Sequence, residues 1–119
     1  MPKILVVDDE KDICELLLNT LQKIGFQASY SLTIKGAVEV LTQESFDLIF
    51  IDLNLTDGSG YDLINKIGEL KLKSKFVVIS AFDSERQKVL SAGADFFIAK
   101  PFSKTKVVDA LQQLNLLAS

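Results

Sequence analysis

The chain has 119 residues, is 48% hydrophobic and 24% charged, and carries a net charge of −3. That length supports one buried core, so residues 1–119 are expected to form a single domain, and the lack of a basic stripe beyond the run at 71–75 argues against direct nucleic-acid binding. The absence of histidine excludes Ser-His-Asp catalysis, histidine metal sites and phosphohistidine on this chain, while the lone Cys14 excludes an internal disulfide and fits a reducing cytoplasm.

In chain order, Ile4-Leu5-Val6-Val7 is an apolar run too short for a membrane span or signal peptide. It suits a strand buried on both faces of a parallel sheet. Ile13, Leu16, Leu17, Leu21 and Ile24 then follow helical spacing, stopped by Gly25. Residues 26–30 alternate and are more polar, which predicts an edge strand. Ile34, Ala37, Val38 and Leu41 form a second helical stripe, and 48–51 (Leu-Ile-Phe-Ile) a buried strand. Asp57-Gly58-Ser59-Gly60 is a turn sequence before a third helix carrying Tyr61, Leu63, Ile64, Ile67 and Leu70. Strand 76–79 follows, then a short helix beginning near Asp83 or Ser84 and containing Val89 and Leu90. Strand 96–99 and a last helix with Val107, Val108, Leu111 and Leu114, capped by Ser103, complete the pattern.

Five alternating strand–helix units predict an α/β fold, a (βα)5 doubly wound, flavodoxin-like parallel sheet. With the polar second strand at an edge, the expected order is 2-1-3-4-5. In that order ligands bind at the carboxyl ends of strands 1 and 3, where the chain reverses direction. Strand 1 runs into Asp8 and Asp9, and strand 3 into Asp52. Three carboxylates brought together repel, and an oxygen-only set of this kind suits Mg2+. Ser80 ends strand 4 and Lys100-Pro101 ends strand 5. An acceptor carboxylate, a metal cage, a hydroxyl and an ammonium around one point suit phosphoryl transfer.

The stretches Ile4-Leu5-Val6-Val7-Asp8-Asp9-Glu10, Asp47-Leu48-Ile49-Phe50-Ile51-Asp52-Leu53-Asn54-Leu55, Asp57-Gly58-Ser59-Gly60, Val78-Ile79-Ser80-Ala81, Gly93-Ala94-Asp95 and Lys100-Pro101-Phe102 are jointly specific. In this order and spacing the chain resembles the receiver domain of two-component response regulators, from residue 3 to about residue 117. The resemblance implies that Asp52 is the phosphoacceptor, that Asp9 binds magnesium directly and Asp8 through water, and that Asn54 offers its backbone carbonyl to the metal. It also implies that Ser80 and Lys100 bind the phosphoryl group, that Ala81 leaves it room, that Phe97 is an aromatic switch and that Pro101 follows a cis bond. Thr56 stands where many members of the family have proline, so the loop after Asp52 is expected to be looser.

The implied role is a cytoplasmic signalling switch, catalysing only its own phosphorylation and dephosphorylation. Its partners would be a sensor histidine kinase or a histidine phosphotransfer protein, and a downstream effector domain or protein. Phosphorylation would shift a two-state equilibrium on the face made by helix 4, strand 5 and helix 5. Strand 5 is an edge yet apolar on both sides, with Phe96 and Ile98 opposite Phe97. That invites either simple cover by helices 4 and 5 or a partner surface, including a homodimer.

Three rivals share parts of this pattern. A haloacid dehalogenase-like phosphatase also uses a strand-end aspartate, but its nucleophile comes first in an Asp-x-Asp motif, and here Glu10 follows Asp8 by two. A flavodoxin-like carrier would need a phosphate-binding first loop, which Asp8-Asp9-Glu10 would repel. A degenerate receiver used only for docking would share the fold without the chemistry.

Overall fold

The computed structural model describes residues 2–117. Its elements are β1 (Lys3–Val7), α1 (Lys11–Ile24), β2 (Gln27–Ser31), α2 (Ile34–Gln43), β3 (Leu48–Asp52), β4 (Asn54–Leu55), β5 (Gly58–Ser59), α3 (Gly60–Glu69), β6 (Lys75–Ser80), a 3-10 turn (Asp83–Glu85), α4 (Arg86–Ser91), β7 (Phe96–Ala99) and α5 (Lys104–Gln113). The main sheet has the order β2-β1-β3-β6-β7, all pairs parallel. Counting only these five strands, this is the expected order 2-1-3-4-5.

Side chains alternate across a strand, so each apolar run feeds two cores. Leu5, Val7, Ile49, Ile51, Val78 and Phe97 face one side, with Ala37 and Leu41 of α2, Leu63, Ile64 and Ile67 of α3, and Val89 of α4. Ile4, Val6, Leu48, Phe50, Val77, Ile79 and Ile98 face the other, under Cys14, Leu17 and Leu21 of α1 and Val107, Ala110 and Leu111 of α5. The helices thus lie α1 and α5 on one face, α2, α3 and α4 on the other. Continuous burial of β1 after its first residue and of all of β3 explains why these strands carry no polar alternation.

Local differences from the sequence expectation have simple causes. The edge strand starts at Gln27, one residue late, because the Phe26 amide still closes the end of α1 by donating to Leu21 O and its ring is buried under that helix. Gly25 ends α1 at φ 118°, the left-handed cap that glycine favours. The fourth helix opens as a 3-10 turn, and only Val89 of α4 is buried. The stretch after Asp52 is a small hairpin: Asn54 pairs with Ser59 and Leu55 with Gly58 around Thr56 and Asp57. Among the described residues no helix is long and apolar enough to cross a membrane.

Register sets the site. Val7 lies beside Ile51, Asp52 beside Ile79, and Ser80 beside Ala99. The residues that end or follow β1, β3, β6 and β7 therefore emerge along one rim.

Candidate functional site

Asp8 follows β1 and is 2% exposed. Its Oδ1 accepts from the Glu10 amide at 2.9 Å, while its buried Oδ2 has no well-directed hydrogen bond and lies 3.2 Å from Lys100 Nζ. Asp52, the last residue of β3, is 4% exposed. Its Oδ1 accepts from the Asn54 amide at 3.2 Å and its Oδ2 from Lys100 Nζ at 3.3 Å. Lys100 thus bridges two buried carboxylates on neighbouring strands, and Glu10 Oε1 stands 3.9 Å from the same ammonium.

Burial pushes the Asp52 carboxyl up to about 6, and the nearby Asp8 charge adds to the rise; the Asn54 amide and Lys100 oppose it. Lys100 is itself desolvated, yet Asp52 and Asp8 together hold its pKa above the ordinary lysine value. The pocket therefore places an anionic pair under a single ammonium. Cys14 lies just below, with its Sγ donating to Asp8 O at 3.3 Å; burial and the Asp8 charge raise its thiol to about 12, which leaves it an inert core residue.

One carboxylate oxygen from each of Asp8, Asp9 and Glu10 lies within 4.8 Å of the others. Glu10 stood in the sequence as part of a motif without a role of its own, although a run of three acids at a strand end is a visible signal. An oxygen-only donor set with an orphaned buried oxygen, Asp8 Oδ2, fits a hard divalent cation.

The remaining residues singled out in the sequence fall as follows. Ser80, 1% exposed, ends β6 with its Oγ accepting from the Phe82 amide at 3.1 Å. Ala81 is exposed beside Lys100. The Lys100–Pro101 bond is cis. Phe97 is only 4% exposed, and the Arg86 guanidinium covers its ring at 4.7 Å while pairing with Asp83 at 3.0 Å. The aromatic at the expected switch position is thus buried here, with α4 supplying a cationic cover. Phe96 and Ile98 point to the opposite core.

Gly60 fixes the distance between the acceptor strand and α3. A Cβ there would stand 2.5 Å from Asp52 O and 2.9 Å from Leu53 Cα, both backbone atoms that have nowhere to go. Its own amide donates to Leu53 O at 2.8 Å, and the Ser59–Asp62 capping box starts the helix beside it. On the other side of Lys100 lies an open groove of about 350 Å³ lined by Glu10, Ile13, Leu16, Ala81, Pro101 and Phe102. Leu16 is 58% exposed there, an unusual cost for a large aliphatic side chain next to a charged site.

Comparison with known proteins agrees with this fold. A family model described as the response regulator receiver domain matches residues 4–112. The response regulator SaeR of Staphylococcus epidermidis is 33% identical over 120 residues, covering 99% of this chain and 51% of SaeR, so the chain spans about half the length of that relative. A CheY-like receiver domain from Methylobacillus flagellatus superposes with a TM-score of 0.88 at 31% identity, covering 96% of this chain and 98% of that one. The response regulator TrrA from Thermotoga maritima, solved in complex with Mg(2+)-BeF, superposes at 0.87 with 28% identity, covering 96% and 99%.

Proposed function

Because this chain belongs to the response regulator receiver domain family, we propose that Asp52 accepts a phosphoryl group from a phosphohistidine on a partner protein, and that residues 1–119 serve as one such domain. The observation that carries the proposal is the buried Asp52 carboxylate at the end of β3, held beside Asp8 by a single ammonium. A carboxylate with a pKa near 6 is still mainly anionic at neutral pH, hence competent to attack.

Asp8, Asp9 and Asp52, with the Asn54 carbonyl, would hold magnesium, which when bound offsets charge on the phosphoryl oxygens. In the transfer, one Asp52 carboxylate oxygen bonds to phosphorus as the P–N bond of the phosphohistidine breaks. The electron pair leaves with the imidazole, and an acyl phosphate forms. Hydrolysis later breaks the P–O bond, returning the carboxylate and inorganic phosphate.

Lys100 Nζ is placed to follow the new charge. The Ser80 hydroxyl accepts from the Phe82 amide and keeps its own proton to donate to the phosphoryl group, so a turn of Ser80 toward Asp52 carries the loop that leads into α4 with it. Since Phe97 is already under Arg86, the proposed switch runs through α4 shifting over this ring, on the face of α4, β7 and α5. That face, with a cavity of about 200 Å³ lined by Phe96, Arg86, Lys106 and Asp109 among others, is where we place an effector domain or protein, or a second copy in a homodimer. The setting we propose is cytoplasmic, with no nucleic acid bound by this domain itself.

Incubation with acetyl phosphate or beryllofluoride should give a magnesium-dependent adduct on wild type that Asp52→Asn abolishes. Continuous turnover of small phosphomonoesters would instead point to a phosphatase, and no adduct at all to a docking module.

The donor must approach over the groove beside Lys100. Leu16→Glu is expected to slow transfer from a phosphohistidine protein by about tenfold, a burden of one anchor side chain at an interface. The rate from acetyl phosphate should not change. Equal loss with both donors would show that Leu16 acts on the site and not on docking.

A further inference from the structure

The first turn of α2 is capped from outside. Of its opening amides, Gly36 N is satisfied by the helix's own cap, Thr33 Oγ1, at 3.0 Å, and Ala37 N by the first intrahelical bond to Thr33 O. The two that remain, Ile34 N and Lys35 N, donate to the two oxygens of Asp57 at 2.9 and 3.1 Å. Asp57 lies 22 and 23 residues further on, at the tip of the β4–β5 hairpin. The first turn of α2 has no acidic residue of its own, so this carboxylate also supplies the negative charge that a helix start favours. The two amides hold the Asp57 carboxyl below the usual carboxylate range, although it is exposed.

This hairpin is the segment that leaves the acceptor. Asn54, whose amide binds Asp52 Oδ1, is paired with Ser59, and Leu55 with Gly58, so the hairpin's pairing connects the tip to the acceptor end. Thr56 in the turn does not restrict the backbone as a ring would. The far end of the hairpin is held by α3, where Ser59 Oγ accepts from the Tyr61 amide at 3.2 Å and Asp62 Oδ2 from the Ser59 amide at 3.1 Å; Asp57 is the side chain that ties the tip to α2.

We infer that Asp57 is a positioning residue: by clamping the hairpin tip onto the N-terminus of α2, it fixes the Asn54 backbone against Asp52 and so prepares the site for a divalent cation. The inference deepens, and rests on, the reading of Asp52 as acceptor. Its test separates three roles. Asp57→Ala removes the clamp. Thr33→Ala removes the other cap of the same helix without touching the hairpin. Thr56→Pro, placed on Asp57→Ala, stiffens the turn by a different route; Thr56 has no positive φ to forbid it.

In the metal-free protein, amide hydrogen exchange across residues 54–59 should speed up in Asp57→Ala and stay at the wild-type rate in Thr33→Ala. Magnesium affinity, titrated with the metal alone, should fall about tenfold in Asp57→Ala, as when support around a ligand is lost. It should be unchanged in Thr33→Ala and largely recovered in the double variant. Unchanged exchange and affinity in Asp57→Ala would overturn the inference, as would Thr33→Ala reproducing both losses, since the clamp would then serve only α2. If wild type binds no magnesium, the acceptor reading fails, and exchange at 54–59 still decides whether the clamp exists.

Discussion

Replacing Lys100 with alanine is expected to destabilise the metal-free protein by about 3–5 kcal/mol at neutral pH, the range for removing one partner from a buried ionic cluster. The lysine is the single cation within 4 Å of both Asp8 Oδ2 and Asp52 Oδ2 among the described residues, and these carboxylate side chains are 2% and 5% exposed. Without it their charges face each other in a poorly solvated rim, and Asp8 Oδ2 loses its only close counter-charge. Chemical denaturation of wild type and Lys100→Ala in a chelating buffer measures the loss.

The same variant should respond more strongly to magnesium. On the proposed reading a dication would compete with the Lys100 ammonium for the Asp8 and Asp52 oxygens in wild type, and would meet no such competitor once the side chain is gone. The rise in Tm on adding magnesium should therefore be larger for Lys100→Ala than for wild type, by linkage between binding and folding. Equal shifts would mean that the ammonium and the metal do not share these oxygens. Phosphoryl signalling should nevertheless fail, because Lys100 would no longer follow the new charge on Asp52.

Asp52→Asn should act in the opposite direction on stability. The folded-state pKa of Asp52 is about 6 against an ordinary 3.8. The folded protein therefore binds this proton more tightly than the unfolded chain does, and stability attributable to Asp52 falls as pH rises from about 4 to about 6. Above that window the ionised group costs the fold about 1–3 kcal/mol, the free-energy equivalent of that rise after allowance for water at the rim. The amide of the Asp52→Asn variant escapes this cost, keeps a side-chain oxygen for the Asn54 N–H, and leaves Lys100 to Asp8. The variant should be more stable than wild type at pH 7.5 without metal, and the advantage should vanish near pH 4. A destabilised variant at pH 7.5 would show that the Lys100 contact outweighs burial. Magnesium should narrow the gap at neutral pH, since the cation favours ionised Asp52.

Much of this was legible in the chain itself. Strands buried on two faces leave no polar alternation, so 4–7, 48–51 and 76–79 stood out, and the polarity of 26–30 was enough to send that strand to the edge and give the order. The rim followed, since topology alone brings the ends of β1 and β3 together. What the sequence hid is what depends on distant pairs. The Asp57 clamp joins residues 22 and 23 apart, which no local pattern encodes. The bridge from Lys100 to Asp8 as well as Asp52 depends on side-chain reach across strands. Asp57-Gly58-Ser59-Gly60 announced a turn through its composition, but not that two short strands would pair on either side of it. Phe97 announced an aromatic at a given register, yet its cover by Arg86 came from the placement of a six-residue helix.

That short helix sets the ease with which the molecule can change. Val89 is the one side chain α4 commits to the interior; its other grips are charges resting on rings, Arg86 on Phe97 and Lys88 on Tyr61. Local opening energies follow the amount of apolar anchorage, so α4 can detach and resettle while the strands stay closed. A charge change at the rim need supply only a small fraction of the global unfolding energy to move it, which makes this flank a low-cost hinge.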